Sequence, residues 1–99
     1  MKSHTAWERL YLAVGSLASG ESGIINRLEN VYSSHIIPLN ENEFKSEKSK
    51  QLFESIRRPI IDGRLHKGVL INMTSEEASQ IAKEIVSLLI QIDHFNDED

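Results

Sequence analysis

The chain contains no cysteine, which removes disulfides, thiolate metal ligands and thiol nucleophiles together. Small secreted domains lean on disulfides, so a cysteine-free chain of 99 residues points to a reducing compartment, the cytoplasm. Long apolar runs are missing too. Stretches such as Leu88-Leu89-Ile90 are short and sit inside amphipathic patterns, whereas a membrane-crossing helix needs about 20 consecutive apolar residues. No membrane partner is expected. The opening Met1-Lys2-Ser3-His4-Thr5-Ala6-Trp7-Glu8-Arg9 places charges where a signal peptide needs an apolar core. Asn72-Met73-Thr74 has the form of a glycosylation sequon, but without a secretory route it reads as coincidence.

Chemical motifs are equally scarce. His4, His35, His66 and His94 lie about thirty residues apart, and none pairs with another at the three- or four-residue step that brings two imidazoles to one ion. Neither a metal nor any other cofactor is expected. Gly20-Glu21-Ser22-Gly23 lacks the lysine and following hydroxyl of a phosphate-binding loop. None of the serines occupies a glycine-flanked elbow between strand and helix. The arginine–histidine spacing that HEPN ribonucleases place on one helix is not met, because Arg58–His66 and Arg27–His35 are each separated by seven residues. The reading is therefore of a protein that is not an enzyme.

What is present is a run of helical patterns, enough for one domain. Trp7, Leu10, Tyr11, Val14, Leu17 and Ala18 form an apolar stripe at three- and four-residue steps, with Thr5 to cap the start and Gly20 to end it in a left-handed conformation. A second helix follows over 22–36, capped by Ser22 and stopped by Pro38, with Ile24, Leu28, Val31, Tyr32 and His35 on one face. Leu39 to Glu43 reads as a polar loop. A third helix over 46–58 has Ser46 as cap and Leu52, Phe53 and Ile56 as its apolar face, and Pro59 terminates it. Between Pro59 and Met73 the helical period is lost. An irregular loop against the bundle is favoured there over a hairpin, since two strands alone are weakly stable. Thr74 and Glu77 then have capping-box spacing ahead of a long helix over 74–93.

The expected fold is thus all-α: a compact four-helix bundle-like domain over residues 1–95, with an irregular loop between the third and fourth helices and an acidic tail, 96–99, that has no reason to be ordered. Trp7, Leu10, Val14, Leu28, Phe53, Ile56, Ile81, Ile85 and Leu88 are the expected core.

Two features bear on function. Net charge is −4, and it is unevenly spread: residues 1–44 carry −2, residues 45–67 carry +4 and residues 68–99 carry −6. Within the basic stretch, Arg57, Arg58, Arg64, His66 and Lys67 are the candidate binding residues. They could meet an acidic patch on a partner protein or a polyanion, or could serve the fold by pairing with acids of the last helix. No aromatic residue is interleaved to stack bases, and the chain as a whole is acidic, which ranks nucleic acid second to protein. The other feature is the last helix. Ile81, Ile85 and Leu88 lie on one side, while Val86, Leu89 and Ile90 extend the apolar surface further round than one bundle face requires. Those three are the candidate interface residues, for self-association or for docking on a larger protein. The resulting expectation is a small non-catalytic accessory or regulatory protein. Bacterial and phage immunity, antitoxin and defence-accessory proteins have this general profile.

Overall fold

The last helix organises everything else. In the computed structural model, which describes residues 5–95 and side chains to Asp93, helix α5 (Ser75–Phe95) packs against α1 (Ala6–Ser19), α2 (Ile24–Val31) and α3 (Glu47–Ile56). Its inward residues Ala78, Ile81, Ile85, Leu88 and Ile92 alternate at three and four positions and are all buried, the spacing that keeps one side of a helix on one line. Among the described residues the fold is all-α but for one very small hairpin. Among the described residues no helix is long and apolar enough to cross a membrane.

Local signals set the helix starts. Thr5 Oγ1 accepts from the Glu8 N–H at 3.1 Å, and the Glu8 carboxylate accepts from the Thr5 N–H at 3.1 Å. Ser46 Oγ accepts from the Ser49 N–H at 3.1 Å. The Thr74–Glu77 pair forms in the same way at the head of α5. In each case a side chain satisfies a donor that the first helical turn leaves over. Ser22, expected as the cap of α2, is not one: Gly23 occupies that position without a side-chain bond.

The face of α1 differs from expectation. Ala6, Leu10, Ala13 and Leu17 are buried, Trp7 and Val14 are only partly covered, and Tyr11 and Ala18 are exposed. The stripe is rotated by about one residue because alanines take the inward positions, where small side chains let helices approach closely. Gly20 also behaves differently. Its φ of −69° is extended backbone, so no left-handed cap forms. A Cβ there would lie 2.5 Å from Cδ of Arg27, so a larger residue would displace the arginine, whose guanidinium crosses over to donate to the Leu17 carbonyl.

After Val31 the second helix widens into a π segment, Tyr32–Ile36. Tyr32 and Ile36 are fully buried, and the Tyr32 hydroxyl donates to the Ile56 carbonyl at 2.5 Å in the last turn of α3. The following stretch is less of a free loop than its polar residues suggest. Leu39 and Phe44 are buried on either side of a short 3₁₀ turn (Glu41–Glu43), and the Phe44 ring lies 4.8 Å from that of Phe53.

The stretch between Pro59 and Met73, read from sequence as an irregular loop, instead continues a helical turn, α4 (Arg58–Ile61), and holds a hairpin of β1 (Leu65–His66) and β2 (Val69–Leu70). Lys67 and Gly68 both have positive φ, 52° and 81°, which matches the twist of a two-residue hairpin turn. Two external supports offset the weakness of so short a pair: Leu70 is buried, and its N–H donates to the Glu29 carboxylate at 2.8 Å. Seven of the nine expected core residues are buried; Trp7 and Val14 stand at the core's edge.

Candidate functional site

The basic segment does not act as one cluster. Arg57 ends α3 and lays its guanidinium 5.1 Å from the centre of the Phe53 ring, a cation–π contact at the edge of the core. Arg64 is held from several directions. It makes a two-pronged ion pair with Glu77, Nη1 to Oε2 at 3.1 Å and Nη2 to Oε1 at 3.2 Å, and it donates to the Ile71 carbonyl at 3.1 Å and to that of Asn72. The Glu77 hydrogen bond raises the Arg64 pKa above its ordinary value. Arg64, with help from the Thr74 N–H, holds the Glu77 carboxyl below the usual carboxylate range. Arg64 thereby clamps the end of the hairpin to the first turn of α5. Of the five candidates, Arg58, His66 and Lys67 are left exposed.

Arg58 and Arg64 do share a small recess of about 250 Å³, but with Glu77 and Glu84. Ser55 donates to both Glu84 oxygens, at 3.1 and 3.0 Å. It is lined by charges of both signs, so its field is unlike that of a phosphate cradle. On the hairpin, alternation turns Leu65 and Leu70 inward and the His66–Val69 pair outward. Val69, Ile71 and Ile61 are exposed apolar residues of this region. The exposure of Val69 follows from the strand alternation, which the loop reading of the sequence did not contain.

The other candidate surface is larger and chemically uniform. Val14, Leu17 and Ala18 of α1 with Ile24, Ala82 and Val86 border a groove of about 480 Å³ between α1 and α5. A second hollow of about 630 Å³ continues along α1 past Tyr11, Leu12, Gly15 and Leu89, and it shares Val14 and Ala18 with the first. Tyr11 is 58% exposed, Leu12 43%, Val86 38% and Ile90 50%. Lys83 is the one charged side chain along both hollows among the described residues.

The three interface candidates fall on or beside this face. Val86 lies in the groove, Leu89 is half-buried in the adjoining hollow, and Ile90 is exposed further along α5. Tyr11, Leu12 and Ala18 were not read from sequence as surface. The missed signal was the pair Ala6 and Ala13, whose spacing with Leu10 and Leu17 marks the true inner face. The edge of the surface is fixed in place. The Trp7 and Tyr11 rings stack with centres 5.2 Å apart and planes 12° apart, and the Trp7 indole N–H donates to Asp93 Oδ1 at 3.0 Å.

Other chemistry is sparse. Among the described residues no three His, Asp or Glu side chains converge as metal ligands would. His35 is half-buried on the π segment and His66 is exposed on the hairpin, while His4 and the His94 side chain lie outside the described residues. Comparison with protein-family models, with curated proteins and with solved structures gives no match.

Proposed function

We propose that this is a small non-catalytic accessory or regulatory protein of the cytoplasm that works by protein–protein contact, of the general kind found among bacterial and phage immunity, antitoxin and defence-accessory proteins. The observation that carries the reading is the continuous apolar face between α1 and α5, with Lys83 its one charged lining residue among the described residues and Tyr11, Leu12, Val86 and Ile90 open to solvent around two joined hollows. Scattered apolar residues are normal on a monomer, but a contiguous apolar patch with grooves is the usual mark of an interaction site.

The test is Val86→Glu, which puts a charge into the groove at a position 38% exposed, so folding should persist. Helical circular dichroism should be unchanged, and proteins captured by the tagged wild-type chain should be lost. Unchanged capture would show that the groove is not the docking surface.

Polyanion binding through residues 57–67 is the rival reading. Arg57 and Arg64 are engaged within the fold, and Glu77 and Glu84 stand beside the latter, leaving few cations for phosphate. Tight, salt-sensitive DNA or RNA binding would reverse the order of the two readings.

A further inference from the structure

We infer that the α1–α5 face is closed by a second copy of this chain, in a two-fold arrangement whose axis passes beside Gly15. The inference rests on the reading of that face as a docking surface and names its occupant.

Gly15 is the first reason. It sits in the middle of α1, exposed, and a Cβ built there would meet nothing within 4 Å. A glycine costs a helix interior stability relative to alanine, and no contact inside this fold requires it. Close approach of another backbone does require it. The neighbours of Gly15 are arranged to suit such an approach by an identical helix. Large Tyr11 and Leu12 precede it and small Ala18 and Ser19 follow, all exposed. When two α1 helices cross antiparallel at Gly15, Leu12 of each copy comes opposite Ala18 of the other, and Tyr11 opposite Ser19. The same patch supplies both knob and hollow, which is what an isologous two-fold interface demands.

Charge and area agree. The chain carries −4, so a charged partner would be recognised best elsewhere. Two copies of a nearly uncharged patch meet without burying like charges, and the long stem of Lys83 can carry its ammonium out to water. From the fractional exposures, the apolar patch is on the order of a few hundred Å², the size at which a monomer's largest patch is often functional. A standard interface covers about 800 Å² per partner, so the patch forms its centre, and serines 16, 19 and 87, which line the hollows, fall in its polar rim. The Tyr11 knob is already ordered by stacking on Trp7, which Asp93 anchors to α5, so less side-chain freedom is lost on association.

The experiment is sedimentation equilibrium of the full chain over a range of concentrations at low and high salt, with Gly15→Leu and the hairpin variant Val69→Asp alongside. Wild type and Val69→Asp are expected to form dimers, strengthened or unchanged by salt because self-repulsion is screened while the contact is apolar. Gly15→Leu should weaken the dimer by roughly tenfold or more, yet melt no lower than wild type as a monomer, since its side chain enters open space and leucine is the better helix former. That opposite movement of association and stability separates an interface glycine from a structural one. A wild type that stays monomeric at every concentration overturns the inference. The docking-surface reading is then decided separately by Val86→Glu. A dimer that ignores Gly15→Leu but is lost in Val69→Asp lies on the hairpin, and overturns it as well.

Discussion

Replacing Tyr32 with Phe removes one oxygen atom and leaves the ring. The position is fully buried, and the hydroxyl donates to the Ile56 carbonyl at 2.5 Å. That carbonyl lies in the last turn of α3, where intrahelical donors run out. Losing the bond itself is worth about 1 kcal/mol, and leaving the buried carbonyl without a donor raises the cost to about 2 kcal/mol. For a chain of 99 residues this corresponds to a fall in Tm of roughly 10 °C. Urea and thermal unfolding followed by circular dichroism measure it directly.

The same residue gives a pH signature. Burial, with the nearby Glu84 charge, pushes the Tyr32 phenol above its ordinary value. The stabilisation is therefore complete below about pH 10, where the unfolded phenol titrates, and is lost as pH rises beyond it. Tyr32→Phe should flatten this alkaline loss. A variant less than about 0.5 kcal/mol weaker than wild type, with the same alkaline limb, would refute the assignment of the hydroxyl as the end-cap of α3.

Two further outcomes follow from the packing and the ion pair. Ile85→Ala, at a fully buried position on the central helix, should cost about 3 kcal/mol, within the range for deleting a buried aliphatic chain; a urea midpoint near wild type would contradict the central placing of α5. Arg64 holds the Glu77 carboxyl below its ordinary range, so this pair adds stability above the unfolded carboxylate's pKa and loses it as pH falls through the lowered folded value. Arg64→Ala should shrink that acid dependence and speed amide exchange at residues 71–74; unchanged exchange there would mean that the clamp does not hold the hairpin.

What the sequence made legible was local chemistry. Thr5 with Glu8, Ser46, and Thr74 with Glu77 act within three residues of themselves, so spacing alone locates the starts of α1, α3 and α5. Features decided at long range were not legible. The hairpin depends on Glu29, far away in sequence, and the burial of Leu39 and Phe44 turns a polar-looking stretch into a fixed part of the core. The inner face of α1 was misplaced because counting large apolar residues favours Tyr11, whereas the packing selects Ala6 and Ala13. The same rotation explains the partial view of the surface. Val86, Leu89 and Ile90 were visible as excess apolar circumference on α5, but Tyr11 and Leu12 could be recognised as their neighbours only once α1 was turned correctly. The basic segment shows the converse, a cluster in sequence that the fold divides between structural contacts and open surface.

Because the chain has no cysteine, a single introduced thiol can report whether the α1–α5 face becomes covered. Val86→Cys places it in the groove, and Val69→Cys places a control on the hairpin, both at exposed positions. Alkylation rates are measured at rising protein concentration and with any captured partner added. The proposed docking function predicts that alkylation slows at position 86 while position 69 keeps its rate. Slowing at position 69 with position 86 unaffected would contradict it.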